Sequence, residues 1–262
     1  MLRYARLLLI QLRTSALLGM QYRLDFVLDA AMTLFWTASS LVPLLVLFHQ
    51  RSDIGGWEWP QALLVVAFFT MLRGVIGGGI QPALQNVVEL VRKGMLDFLL
   101  LKPADAQFLV STSRFEIWRG VDVLAGFAIL IWALVELGHI PTPGQIAATL
   151  ALLGAAILIL YSIWIAVVAL AFRVVKVDNL TYFFSSVFEA ARWPAPVFRG
   201  ALAFVFTFVI PLIVMTSFPA LAIVGELGAR AILSSLGGAL LFALAARLLW
   251  LRALRSYTSA GG

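Results

Sequence analysis

IAATLALLGAAILILYSIWIAVVALAF, residues 146–172, decides the fold, because it carries no charged side chain anywhere along its length. A helix needs about 20 mostly apolar residues to cross the hydrocarbon core of a bilayer. This stretch exceeds that and has no polar face to turn to water. Working outward, comparable apolar runs recur at 26–48, 59–79, 121–137, 201–216 and 231–250, and the run at 201–216 is likewise free of charge. The 262-residue chain agrees as a whole, with 62% hydrophobic and 12% charged residues, where a soluble domain carries about 25% charged. So little charge leaves too little polar surface for a water-soluble globule. The sequence predicts an all-α membrane protein with six transmembrane helices in a single domain.

Charge placement orients that bundle. Residues 1–23 gather Arg3, Arg6 and Arg13 on one helical face and Leu2, Ala5, Leu8, Leu9 and Leu12 towards another, with Leu7 and Ile10 blurring the division. This reads as a basic amphipathic helix lying in the membrane interface against lipid, not as a cleaved signal. With the N-terminus inside, the inner segments collect Arg23, Arg92, Lys93, Lys102, Arg114, Arg119, Arg173, Lys176, Arg192, Arg199, Arg247, Arg252 and Arg255, while the outer ones hold only Arg51 and Arg230. The positive-inside rule then predicts both termini in the cytoplasm. The net charge of +6 is explained by this asymmetry, and no nucleic-acid partner is expected. There is no cysteine, which excludes thiol chemistry and disulfides. His49 and His139 lie far apart near predicted loops, so no metal site is expected.

Three stretches exceed a plain bundle. The first, 81–119, is a cytoplasmic loop between spans two and three. Glu89 and Lys93 there are spaced to pair on one helical face, Gly94 permits a break, and Pro103 ends the preceding helix. Leu96, Phe98, Leu99, Leu100 and Leu101 are too apolar for a loop facing only water, so they must pack on the bundle, the membrane surface or another protein. The second, 177–199, reads as a cytoplasmic interfacial segment ending at Trp193-Pro194-Ala195-Pro196. The third, 216–229, is read as a re-entrant element on the outer side, interrupted by Pro219 and Gly225 before Glu226, with Pro211 also arguing against a regular helix.

Ionisable groups inside the membrane are candidates for function. Arg73 lies 14 positions beyond Trp59, about 21 Å along a helix, and is expected to snorkel or to pair with Asp29 or Asp122. Gly74 and Gly78 have the small-xxx-small spacing that lets another helix approach closely. No line of carboxylates crosses the membrane, no inverted repeat of broken helices stands out, and no Walker A pattern is present. No catalytic constellation emerges, so the chain is not read as an enzyme.

The pattern Arg92, Gly94, Leu96, Asp97, Leu100 and Pro103 in the loop after span two, followed by the apolar run 108–115, resembles the permease subunits of type-2 ABC transporters. Phe208-Val209-Ile210-Pro211, then Thr216-Ser217-Phe218-Pro219 and Gly225, is a second likeness, and the amphipathic N-terminus and six spans extend it over essentially the whole chain. The resemblance implies a pair of six-span permeases, identical or related, with two separate ATPase subunits that bind ATP and Mg; this chain itself holds no cofactor. It implies that the first cytoplasmic loop carries a coupling helix seated in an ATPase groove, with Val88, Glu89, Arg92, Lys93, Gly94, Leu96, Asp97, Leu100 and Pro103 as its docking residues. It also implies an external gate near Pro211, Pro219, Gly225 and Glu226, export as the usual direction, and the bacterial inner membrane as the location.

Two rival classes stay open from the residues alone. One is a self-contained channel or ion-coupled carrier, which the scarcity of intramembrane charge opposes. The other is an enzyme acting on lipid, for which only Asp25, Asp29 and Arg73 offer chemistry. The few polar groups in the spans favour an apolar or amphiphilic cargo.

Overall fold

A computed structural model describes residues 2–21, 23–171 and 178–255 of the chain, and every regular element among them is helical. In chain order these are α1 (Leu2–Gln21), α2 (Arg23–Gln50), α3 (Trp59–Val75), a π-helical turn (Ile76–Ile80), α4 (Gln81–Arg92), α5 (Leu96–Leu100), α6 (Ala106–Ser111), α7 (Gly120–Glu136), α8 (Pro143–Ala171), α9 (Asp178–Phe188), α10 (Ala201–Phe204), α11 (Leu212–Val224) and α12 (Ala229–Arg255). The side chains of Asp25 and Arg92, and the residues Arg173 and Lys176, fall outside the description. Five helices are long and apolar enough to cross a membrane, at Val27–Gln50, Trp59–Val91, Ile117–Glu136, Pro143–Leu170 and Ala229–Arg255. The chain is an all-α membrane protein.

Local chemistry sets where the helices start. Ahead of α3, Glu58 and Gln61 form a capping box, with Glu58 N–H donating to Gln61 Oε1 at 3.0 Å, and Pro60 occupies the first turn. Thr142 and Gln145 start α8 in the same way, at 2.7 and 3.3 Å. These caps lie at one end of the bundle, the hairpin end, made by residues 51–58, 137–142 and 225–228. The opposite, basic end is made by residues 93–119.

The centre is α3, whose residues Ala62 to Phe69 are all buried. It lies against α7 closely enough that a Cβ on Gly126 would sit 2.7 Å from the Ala67 carbonyl oxygen, the kind of approach that lets helices associate without a hydrophobic drive. On its other flank α8 packs against α11 and α12. Leu160, Trp164, Val168, Met215, Ala246 and Trp250 share one apolar core there. The faces of α2 and α12 turned away from these contacts are apolar and exposed, as at Phe35, Trp36, Leu241 and Leu244, which suits lipid or another membrane subunit.

Span two does not stop at 79 as expected. The helix continues through the π turn into α4, so Trp59–Val91 is one rod of 33 residues, and the loop begins only at Lys93.

The larger correction concerns the fifth passage. The run 201–216 is not a straight helix: the chain bends by 84° between Ala201–Val209 and Leu212–Val224, because Pro211 follows Ile210 in an extended, non-helical conformation. Nor does 177–199 stay at the basic end. Phe188 stacks on Phe69 with ring centroids 5.2 Å apart, Thr216 Oγ1 donates to the Ala191 carbonyl at 2.8 Å, Trp193 packs on the core of Trp57 and Ala62, and Pro196 lies directly beneath Gly55. The segment therefore climbs along α3 to the hairpin end. The bent pair then dips inward and returns, since Gly225 abuts Gln145 and Gln61 Nε2 donates to Glu226 Oε1 at 3.4 Å. The expected re-entrant stretch 216–229 thus overlaps a longer bent pair, 201–224, which is a broken span or a re-entrant loop, while 178–197 runs alongside α3 between the two ends of the bundle. Charge and proline hid it: Glu189 and Arg192 pair at 3.8 Å, and Arg192 lies over the Trp193 ring at 5.8 Å.

Candidate functional site

Two regions bring the singled-out residues together. The first surrounds Arg73, at the end of α3 nearer the basic end, just before the π turn. Its partner is Asp122, not Asp29, which stands on the exposed side of α2. Arg73 Nη2 lies 2.7 Å from Asp122 Oδ1 and 2.6 Å from Thr37 Oγ1, and the Asp122 side chain is fully buried. Arg119 approaches the other carboxylate oxygen at 3.6 Å. The glycine run makes this possible. Cβ atoms on Gly74 and Gly78 would meet the Arg119 backbone oxygen at 3.0 Å and its Cβ at 3.3 Å, so 74–78 serves as a bed for the start of α7. Beside the pair is a cavity of about 340 Å³, bounded by Arg73, Gly77, Arg119, Trp164, Phe184 and Met215 among others.

The second region is the loop at the basic end. Gly94 (φ +66°) ends α4 in a Schellman motif, with Met95 N–H donating to the Leu90 carbonyl at 2.9 Å and Gly94 N–H to that of Val91 at 3.2 Å. The break that Gly94 permits is therefore taken, and α5 follows as one short turn. Leu96 and Leu99 of α5 are buried in the main core, as is Val88 of α4, so Val88 and Leu96 anchor the loop to its own bundle. Leu100 is half-buried, whereas Phe98 (72%) and Leu101 (81%) are exposed. Lys93 pairs with Glu89 at 2.6 Å on the surface, a contact of little energetic weight. Pro103, after the turn that ends α5, is exposed, and its carbonyl accepts from the Arg3 side chain of α1. Asp97 is half-buried.

A polar latch, which the sequence reading missed, fastens this loop to the spans. Asp105 caps α6 by accepting from Phe108 N–H at 3.0 Å, and its other oxygen takes Arg247 Nη2 of α12 at 2.8 Å. Arg247 Nη1 also donates to Gln107 Oε1 at 2.6 Å, while Gln107 Nε2 donates to Tyr161 OH of α8 at 2.9 Å. The hydrogen bond from Arg247 holds the Asp105 carboxyl below its ordinary value of 3.8, against an opposing effect of partial burial. The available signal was Arg247 itself, a charge inside the run 231–250.

Of the gate candidates, Pro211 sits buried at the bend. Pro219 lies within α11 without breaking it. Gly225 (φ +85°) ends the helix, and Glu226 is exposed beside Gln61.

A protein-family model described as an ABC-2 family transporter protein matches residues 34–261. The chain belongs to the ABC-2 family. Searches of the curated proteins and of the solved structures found no match. As an ABC-2 permease it is the membrane transport component of an ABC transporter and not itself catalytic, and the family implies ATPase subunits as partners.

Proposed function

We propose that this permease couples to its ATPases through the α4–α6 loop and exports an apolar or amphiphilic substrate. The observation that carries the docking surface is the division of labour in α5 and its C-cap: Leu96 and Leu99 bury one side, and Phe98 and the capping Leu101 present the other at the tip of the basic end. An exposed aromatic and aliphatic pair on a rigid turn has the composition of an interface anchor. Glu89, Lys93 and Asp97 form its polar rim.

On this reading the basic end faces the cytoplasm of a bacterial inner membrane, with both termini inside. Two ATPase subunits bind ATP and Mg, and a second permease, related or identical, completes the assembly. Closure of the ATPases displaces α5. The latch at Asp105, Arg247, Gln107 and Tyr161 hands that displacement to α8 and α12, and Leu160, Ile163 and Trp164 of α8 line the cavity. The bent pair 201–224 returns to the opposite end at Gly225 and Glu226, where an outer gate belongs, and its bend at Ile210 and Leu212 reaches the cavity wall.

The test is co-purification in mild detergent of this chain expressed with its neighbouring genes, followed by ATPase assay of what it captures. Phe98→Glu/Leu101→Glu is expected to abolish ATPase capture while leaving the melting profile intact. Leu96→Glu is expected to unfold the loop. Capture undiminished by the double change, or transport driven by an ion gradient without nucleotide, refutes the assignment.

A further inference from the structure

We propose that the cavity beside Arg73 binds the anionic head group of an amphiphile, with Arg119 as the principal contact and the apolar wall taking its chain. The charged residues lining the cavity are Arg73, Arg119 and Glu189. Arg73 has the short bond to the buried Asp122, at 2.7 Å. Arg119 reaches the same carboxylate only at 3.6 Å, and Glu189 is 3.8 Å from Arg192, which stands outside the wall. Arg119 is thus the cavity cation without a short bond to an anion. The Nε atoms of Arg73 and Arg119 are both buried without a hydrogen-bond partner. A buried charged donor left unpaired is costly, and an oxyanion in the cavity supplies these guanidiniums with a charged acceptor.

The placement of Arg119 is structural. Its guanidinium rests on the Trp118 ring at 4.2 Å, and its side chain crosses the π turn over Gly77, where a Cβ would come within 3.0 Å of Nε. Single π turns mark functional places in helices, and here the turn clears the path for a cation. The remaining wall is apolar and aromatic, with Trp36, Leu160, Trp164, Phe184 and Met215. Trp36 is 64% exposed, so the cavity reaches the lateral surface of the bundle beside α2. A charged pole joined to an apolar wall that opens sideways fits a single-headed anionic lipid better than a free anion.

The permease reading above makes such a ligand cargo, but binding itself does not depend on ATPase docking. The purified chain alone, in dodecyl maltoside, is titrated with fluorescently labelled lysophosphatidic acid, and separately with the equally labelled neutral monoacylglycerol. Inorganic phosphate serves as competitor. The anionic probe is expected to bind at least about tenfold more tightly than the neutral one, as for a charged hydrogen bond. Arg119→Gln is expected to reduce that preference by about tenfold, and Arg119→Lys by less. Gln81→Glu, an isosteric change in the cavity wall, adds repulsion and lowers anionic binding without removing a cation. Equal binding of the two probes, or anionic binding indifferent to Arg119→Gln and Gln81→Glu, overturns the proposal. Displacement of the probe by inorganic phosphate at similar concentrations also overturns it, in favour of a free-anion site.

Discussion

Asp122→Asn tests the intramembrane pair most directly. The carboxylate is fully buried, its bond from Arg73 is 2.7 Å, and the Arg73 side chain retains 20% exposure. Asparagine preserves the shape but leaves Arg73 and Arg119 facing each other without an anion. Breaking a buried pair by removing one partner costs about 3–5 kcal/mol. The partial exposure of Arg73 and its bond to Thr37 Oγ1 at 2.6 Å place this case at the lower limit, about 3 kcal/mol. For a chain of this size each kcal/mol lowers the melting temperature by about 2–4 °C, so a fall of about 6–12 °C is expected from tryptophan fluorescence in detergent. The double variant Arg73→Met/Asp122→Leu should recover most of the loss, because an apolar replacement of both partners is often neutral. A single variant melting within about 1 °C of the parent, or a double variant that loses the sum of its singles, refutes the pairing.

Two further outcomes follow from the geometry. The Asp105 carboxyl is held below 3.8 by Arg247, so the latch contributes fully above that value and its contribution disappears as pH falls through the lowered folded-state value. Limited proteolysis of the 93–105 loop should therefore accelerate on acidification below about pH 4, and Asp105→Asn should be cleaved rapidly even at neutral pH; protection of that variant equal to the parent's would exclude the latch. At the α3–α7 crossing, Gly126→Ala forces a methyl to within 2.9 Å of backbone atoms of Ala67 and Met71 and should cost about 1–3 kcal/mol. Gly154→Ala on α8, where nothing lies within 4 Å, should be neutral or stabilising, and equal melting of the two variants would contradict the close packing.

Spans with uniform composition were legible because hydropathy alone decides them: α8 coincides with the charge-free run 146–172 almost residue for residue. The course of the chain over 178–224 was not, for a physical reason. Glu189 and Arg192 neutralise each other locally, and the 3₁₀ turns around Pro194 and Pro196 shorten its regular helices. Apolar length favours the bent run 201–224 instead, which is more hydrophobic because α11 is buried on nearly every side. Burial inside protein and burial in lipid select the same residues, so composition cannot separate them; only the partners of Trp193, Pro196 and Glu226 do.

The site was legible in its residue types and less so in its roles. Arg73 stood out because a lone cation in an apolar run requires an anion, and Asp122 was one of two in range. Arg119 looked like one more basic loop residue, and only the fold shows that the glycines of the π turn admit it to the same carboxylate. In the loop, Leu96, Phe98, Leu99, Leu100 and Leu101 are equivalent as letters, all apolar beside a glycine. Which of them is anchor and which is surface depends on the angle at which the Gly94 cap launches α5. That angle buries Leu96 and Leu99 against α4 and α6 and leaves Phe98 and Leu101 outside, so the residues that matter for a partner are those the chain itself has no use for.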